Sequence, residues 1–250
     1  MTTRYRVWLD GQGLQDIDPC VIVSDIQELS PDMDVQTVSR VHGDGMRVIK
    51  RRRRMLTVAV RFYIDEYDTV RRKAIMQKVV GWACRGGRLS INDRPDQYLQ
   101  VETDPLPALT SAQQWLGEQI MTFTAYGAPY WQEMHPVTAS ASGKSGTVYL
   151  APTGDRDTVL ECALTNRGGG VLTDVRIALN GAEIRLSGLS VAVGGQVSMS
   201  MQDGLLALPV AFRTAESADE LVVLAGKRNE VTFETDQDVQ AVFSARGAWM

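Results

Sequence analysis

The chain has 250 residues, of which 44% are hydrophobic, and a formal net charge of −4. This length predicts one large or two ordinary domains, and the apolar content is sufficient for a sizeable buried core. The net charge gives no overall indication of binding to nucleic acid or to an anionic membrane. The two halves differ, because residues 1–132 carry a net charge of +1 and residues 133–250 a net charge of −5.

The cysteines and the apolar segments argue against several classes of protein. Cys20, Cys84 and Cys162 are isolated and odd in number, which predicts neither a disulfide framework nor a zinc site. A reducing compartment at synthesis is therefore expected. The first residues lack the apolar segment of a signal peptide, and no apolar run approaches the roughly 20 residues that cross a bilayer.

The first part of the chain shows strand signals. Short strands are predicted over 5–9 and 20–26, and the polar segment 30–50 is expected to be irregular, with a loop tip at His42–Gly45. Residues 56–64 then alternate apolar and polar side chains with a period of two. This period predicts a half-buried strand.

A single helix is predicted directly after this strand. Asp65 or Asp68 can cap its start, and it is expected to run to about Arg85. Gly86-Gly87 can end it in the left-handed conformation. Its second half is apolar on more than one side, so we expect it to be covered by more than a single sheet face.

The next segments predict a hairpin and another strand before the composition changes. The hairpin covers 89–101 and places Pro95 in its turn, and the strand covers 120–126 and stops before Pro129. Residues 138–146 are small and polar, as expected of a domain entrance or a long loop.

The rest of the chain predicts strands at short intervals with no long helical pattern. Asn180-Gly181 between alternating apolar runs is the strongest hairpin signal, and Gly194-Gly195 suggests a second hairpin. The predicted fold class is mainly β. An N-terminal β domain with one helix, residues 1–132, is followed by an antiparallel β-sandwich, residues 133–250.

The sequence contains no clear catalytic or cofactor-binding motif. The two histidines, His42 and His135, fall in different predicted domains, so a Ser–His or Cys–His pair is not indicated. Gly143-Lys144-Ser145 resembles the end of a phosphate loop, but Thr138 stands where that motif needs glycine. We predict no catalytic residue, cofactor or metal site. A spatial pair of carboxylates among the 30 acidic residues stays open.

A run of basic residues precedes the predicted central strand. It could contact phosphate, since guanidinium groups bind phosphate in a bidentate manner. The balanced charge of this half favours a solvated segment or a contact with acidic groups of a neighbouring subunit. The candidate inter-subunit contacts are Lys50, Arg51, Arg52, Arg53 and Arg54.

Aromatic residues offer a second type of surface. Stacking on sugars would require exposed rings, whereas packing in a core or an interface is the more common use of such residues. We favour core or interface packing for Trp8, Trp82, Tyr98, Tyr130 and Trp131.

The order of these parts resembles the distal tail protein (Dit) family of siphophages. The resemblance rests on the hairpin 89–99, the Pro-aromatic step that ends 123–131, and the segments 146–152, 225–233 and 245–249 of a sandwich that is galectin-like in this family. It covers nearly the whole chain, and the order and spacing of the motifs carry it. Ala128 departs from the acidic residue that the family often has before the proline of this step.

The resemblance implies a structural protein of the virion, made in the bacterial host cytoplasm. N-terminal domains would form a homohexameric ring at the tail tip, around a channel that DNA crosses without specific binding. C-terminal domains would project outward and could hold receptor-binding proteins. The ring would join the tail tube protein to a hub or fibre protein, without a membrane. Segment 30–54 is then a candidate inter-subunit extension.

Two other classes of function stay open. The sandwich could be a carbohydrate-binding module that attaches to glycans on a host surface. The chain could also be an enzyme, for example a glycosidase whose carboxylate pair is not visible in the sequence.

Overall fold

The computed structural model describes residues 5–29, 33–39, 46–104, 117–202, 205–207, 214–218 and 221–249. The chain divides into two compact units, Met1–Tyr130 and Trp131–Met250, two residues before the predicted boundary. Both units are built mainly from antiparallel strands, so the predicted mainly-β fold class is confirmed. The described residues contain one α-helix, and it lies in the first unit.

The first unit is a sheet with a helix packed on one face. Its elements are β1 Val7–Leu9, β2 Gln12–Gly13, a 3-10 helix Leu14–Asp16, β3 Val21–Leu29, β4 Met33–Ser39, β5 Met46–Arg53, β6 Leu56–Ile64, α1 Thr69–Ala83, β7 Gly87–Ile91, β8 Arg94–Thr103 and β9 Gln119–Ala125. Seven strands of this unit lie in one sheet in the order β2-β1-β7-β8-β9-β6-β3, and β4 pairs with β5 separately.

The predicted central strand is confirmed as β6. It pairs with β3 on one side and with β9 on the other. Val58, Val60 and Phe62 are fully buried, whereas Thr57 and Arg61 on the other face are only half-buried. The apolar residues that recur with a period of two in the sequence therefore form the face of β6 that is buried in the core.

The helix is confirmed with slightly different ends. Asp68 caps it, since its carboxylate accepts a hydrogen bond from the Val70 N–H at 2.9 Å. One stripe of the helix is buried and consists of Ile75, Met76, Val79, Trp82 and Ala83. The expectation of cover on more than one side is wrong, because Gln77, Lys78 and Gly81 between these residues are exposed.

The predicted hairpin after the helix is confirmed as β7–β8, but its turn lies earlier. Asn92-Asp93 form the turn, and Pro95 lies within β8. Ile91 pairs with Arg94, whereas Leu89 pairs with Leu99. Pro95 therefore occupies a bulged part of β8, where its missing N–H breaks no ladder bond.

The second unit is a sandwich of antiparallel strands. Its strands are β10 Trp131–Glu133, β11 Val137–Leu150, β12 Thr158–Val159, β13 Glu161–Asn166, β14 Val175–Leu179, β15 Ala182–Ser187, β16 Gln196–Gln202, β17 Leu205–Ala207, β18 Thr214–Ala218, β19 Val222–Val223, β20 Asn229–Ala245 and β21 Ala248–Trp249. The main sheet runs β17-β16-β13-β20-β14-β15-β18, and β11 follows β20. The Asn180-Gly181 hairpin is confirmed, with positive φ at both residues.

One long strand, β20, belongs to both layers of the sandwich. Its first half pairs with β14 and its second half with β13. The rings of Phe233 and Phe243 lie 5.8 Å apart, although ten residues of straight strand would span about 33 Å. The strand must therefore bend sharply between these residues. Residues Asn229–Ala245 thus form one bent strand.

Two further predictions for this unit are wrong. Residues 138–146 lie in β11, not in a loop, because small apolar side chains alternate with serine and Ala139 and Ala141 pack against the core. No hairpin forms at Gly194-Gly195, because Val191 pairs with Leu172 and β16 pairs with β13.

Candidate interaction site

The segment predicted to be irregular contains a β-hairpin, which we call the arm. β4 and β5 pair in antiparallel register from Met33 opposite Arg53 to Ser39 opposite Met46. Alternation of Met33 and Val35 with polar residues is the strand signal that the prediction missed. The predicted loop tip, His42–Gly45, lies outside the described residues.

The arm continues the register of the sheet below it. Leu29 at the end of β3 pairs with Thr57 of β6, and Met33 of β4 pairs with Arg53 of β5. Three residues separate these two pairs on each strand. The arm is therefore an extension of the β3–β6 pair, and its seven residues of β4 span about 23 Å.

Large apolar side chains of the arm are exposed to solvent. These side chains are Met33, Val35, Val38, Met46, Val48 and Ile49, with exposed fractions between 40% and 66%. A two-stranded hairpin is at best marginally stable alone, and contiguous exposed apolar surface is typical of an interaction site. The arm thus has the properties of a segment that another surface covers.

Register assigns the exposed residues of the arm to two faces. Met33, Val35 and Thr37 are every second residue of β4 and therefore share one face of the arm. Val48 lies opposite Thr37 and belongs to the same face. We call this the apolar face. Val38 lies on the other face of β4 and is 51% exposed.

The structure places the predicted basic contacts in and just after β5. Arg51 lies opposite Val35, Arg52 opposite Asp34, and Lys50 opposite Gln36. Arg53 ends β5 opposite Met33. By register, Arg51 and Arg53 share the face of Val35 and Met33, and Arg52 shares the face of Asp34.

Arg54 follows the strand and contacts an acid of its own arm. One of its guanidinium nitrogens lies 3.6 Å from a carboxylate oxygen of Asp34, and both side chains are well exposed. Exposed pairs of this kind contribute little to stability. The cation stays accessible to another partner.

The described residues offer little chemistry elsewhere. They contain no cluster of His, Cys, Asp or Glu able to hold a metal ion, and no helix long and apolar enough to cross a membrane. Gly143-Lys144-Ser145 lies within β11 at a bulge, and no helix follows it there. Burial raises the pKa of the Cys162 thiol to about 12, which opposes formation of a thiolate nucleophile.

Three of the five aromatic residues considered for sugar stacking are buried. Trp82, Tyr98 and Trp131 are at most 5% exposed. The Trp82 ring packs edge-on against Phe123, and its indole N–H donates to the Gln12 carbonyl at 3.0 Å. The prediction of core packing is confirmed for these three, and they cannot stack on a ligand.

Comparison of the fold with solved structures gives full-length matches. The crystal structure of the Dit protein of phage SPP1 matches with a TM-score of 0.62 over 97% of this chain and 98% of that chain, at 11% identity. The chain shares the fold of SPP1 Dit. A chain of the phage P2 baseplate, in its activated conformation with Ca, matches with a TM-score of 0.51 over 97% of both chains, at 9% identity.

The resemblance to Dit proteins read from the sequence is thus confirmed at the level of the fold. No protein-family model and no curated protein sequence matches the chain. SPP1 Dit is described as a paradigm of the hub adsorption apparatus in phages that infect Gram-positive bacteria.

Proposed function

We propose that the chain is a structural protein of a phage tail tip. Six copies form a ring that joins the tail tube protein to the baseplate hub or fibre protein. The first units form the ring, around a channel that DNA crosses, and the second units carry receptor-binding or other baseplate proteins. The proposed location in the virion is the tail tip.

The full-length likeness of fold to SPP1 Dit is the observation that carries this proposal. It covers both units in one alignment, so it concerns their combination in one chain. A single β-sandwich recurs in proteins of many functions and would argue much less.

The arm supports assembly from several copies. It exposes six large apolar side chains and extends beyond the sheet that anchors it. Monomeric proteins rarely leave such a surface uncovered. β3, whose described pairing is with β6, also ends the sheet and offers an edge to a neighbouring subunit.

The mass of the purified protein in solution tests the proposal. Light scattering after size-exclusion chromatography is measured over a concentration series. Six copies of the 27.5 kDa chain give about 165 kDa. A hexamer, or a mass that rises toward one with concentration, is expected. A monomer at every concentration contradicts the proposed ring.

Substitutions on the arm test which surface holds the ring together. Val35→Asp with Val48→Asp places two charges on the apolar face, and we expect the double variant to dissociate to smaller species. The expected loss of affinity is at least about 100-fold, since burial of two added charges in an apolar contact costs several kcal/mol. Circular dichroism checks that each variant is folded.

A matched variant provides the control. Val38→Asp adds one charge on the other face of β4, at a residue of similar exposure, and is compared with the single variant Val35→Asp. It is expected to form the ring with less than a tenfold loss of affinity. If both variants lose the ring equally, the apolar face is not the contact.

The alternative of a carbohydrate-binding module receives little support from the aromatic residues. The burial of Trp82, Tyr98 and Trp131 removes most of the predicted stacking surface. Binding to a glycan array by a stable monomer would favour this alternative over the ring.

A further inference from the structure

Helix α1 concentrates positive charge in a chain that is otherwise acidic. Residues 69–85 hold five basic residues and no Asp or Glu, a net charge of +5. The other 233 residues hold 21 basic and 30 acidic residues, a net charge of −9. Solvent-exposed helices commonly mix both signs, because opposite charges at i and i+4 stabilise the helix. The stability of α1 itself therefore does not explain its charge.

The exposed residues of α1 form an uncharged line that cations flank. Its residues are spaced by four and three positions in turn, as in the seam of a coiled coil, and we call this line the outer seam. It consists of Val70, Ala74, Gln77, Gly81 and Cys84, all exposed. Arg71, Lys78 and Arg85 each follow a seam residue and recur every seven positions. They therefore form a row about 21 Å long on one side of the seam.

Acidic groups of the chain neutralise only part of this row. Arg71 pairs with Glu66 at 3.0 Å. The pKa of Asp18 is lowered by the Cys20 backbone N–H and, more weakly, by Arg71 and Lys78, so one further acid lies within range. Lys78 forms no ion pair with another described residue. The C-terminal two thirds of the row thus remain available to a partner.

Gly81 indicates that another backbone approaches the outer seam closely. It lies in the interior of the helix and is exposed, and a Cβ atom there would meet nothing within 4 Å. Alanine would favour the helix at this position and would fit without a clash. The described part of the chain therefore does not require glycine here, whereas close contact with a second polypeptide does.

Two kinds of acidic partner fit a row of cations, a nucleic acid and an acidic helix. Phosphate groups are bound by cations and polar groups and make no use of an uncharged line between them. A helix that packs along the outer seam covers this line and places its own acids beside the row. The seam and Gly81 therefore favour a helix.

We propose that the outer seam of α1 binds an acidic α-helix of another protein. The partner helix lies along the seam, with Asp or Glu side chains that recur every seven residues opposite Arg71, Lys78 and Arg85. The inference goes beyond the proposed ring. It concerns a surface outside the arm, so it stands or falls independently of the ring.

A designed peptide tests the outer seam in the full chain. The probe is a fluorescein-labelled helix of three heptads with Leu at d, Ala at a and Glu at e and g, and a matched probe carries Lys at e and g. Fluorescence anisotropy at low salt is expected to show at least about tenfold tighter binding of the Glu peptide. The net charge of −4 would favour the Lys peptide if overall charge decided the affinity. Equal affinity, or no binding of the Glu peptide up to about 1 mM, overturns the inference.

Charge reversal locates the binding site. Lys78→Glu with Arg85→Glu is expected to weaken binding of the Glu peptide at least about tenfold and to strengthen binding of the Lys peptide. Lys144→Glu with Lys227→Glu makes the same change at exposed positions of the second unit and is expected to leave both affinities unchanged. Circular dichroism checks that both variants are folded. Equal losses in the two variants overturn the inference.

A bulky side chain on the outer seam separates packing from charge. Gly81→Leu keeps every charge and favours the helix, so the midpoint of urea denaturation is not expected to fall. The leucine holds a second backbone away from the seam, and binding of the Glu peptide is expected to weaken at least about tenfold. Unchanged affinity would show that the peptide does not pack along the seam and would overturn the inference.

A fluorescent DNA duplex at the same low salt tests the competing partner. Wild type is expected to bind it weakly, and Lys78→Glu with Arg85→Glu to change this binding by less than about threefold. Duplex binding that is lost in this variant, together with no binding of the Glu peptide to wild type, overturns the inference and assigns the row of cations to nucleic acid.

Discussion

At the scale of single residues, the second unit contains a buried asparagine whose side chain is fully hydrogen-bonded. Asn229 is completely buried, and its amide oxygen accepts hydrogen bonds from the Leu224 N–H at 2.8 Å and from the Asn180 side chain at 2.9 Å. Its amide nitrogen donates to the carbonyls of Leu224 at 3.0 Å and Lys227 at 2.9 Å. One side chain thus fixes the segment between β19 and β20.

Removal of this amide is expected to destabilise the second unit strongly. Asn229→Ala leaves the Leu224 N–H and the Lys227 carbonyl without these partners, at a cost of about 3 kcal/mol in the free energy of unfolding. Urea denaturation followed by circular dichroism measures it. Asn180→Gly is the comparison, because glycine suits its φ of 51°. It should cost less than about 1 kcal/mol, and equal losses would refute the role given to Asn229.

At the scale of elements, the strands and turns that are predicted correctly are those with a strong local sequence pattern. β6 alternates large apolar and polar residues, and Asn180-Gly181 supplies the two positive φ values of a tight hairpin. β11 escapes prediction because serine, alanine and glycine resemble a loop in composition, and pairing with β20 makes it a strand. The bend of β20 brings Phe233 and Phe243 into contact, and no local sequence pattern encodes this bend.

The arm escapes prediction for a related reason. Its valines and methionines alternate over too few residues to outweigh the charged and glycine-rich segment beside them. The contact of the basic run Lys50–Arg54 with a neighbouring subunit stays a prediction. The exposure of the apolar side chains, which gives the strongest reason for a contact, depends on tertiary structure and cannot be read from the sequence.

Close packing at the bend of the β11–β20 pair leads to a prediction for this element. A Cβ atom on Gly146 would lie 2.7 Å from the ring of Phe233, which is 1% exposed and cannot move aside easily. Gly146→Ala should therefore lower the free energy of unfolding by about 1–3 kcal/mol. Differential scanning calorimetry measures the shift.

Gly169 provides the matched control for this substitution. A Cβ atom there would meet nothing within 4 Å, and its φ lies outside the positive range. Gly169→Ala should change the stability by less than about 0.5 kcal/mol. A loss as large as that of Gly146→Ala would show that the Phe233 contact is not the cause.

At the scale of the whole molecule, the two units are expected to differ in their role in assembly. Each has its own buried core, formed in the first unit around Val58, Phe62 and Phe123 and in the second around Leu164, Ile177 and others. Domains of this size with separate cores generally fold alone. The arm belongs to the first unit, so the proposed ring requires only that unit.

Fragments that separate the units test this division of roles. Residues 1–130 contain the arm, and without residues 33–54 they hold ten basic and 14 acidic residues, a net charge of −4. This fragment contains the whole first unit and is expected to form the same number of copies as the full chain. Residues 131–250 lack the arm and are expected to be monomeric. Light scattering gives both masses, and circular dichroism confirms that each fragment is folded. A folded, monomeric first fragment beside an oligomeric second fragment would place the ring in the sandwich and contradict the assignment of the arm.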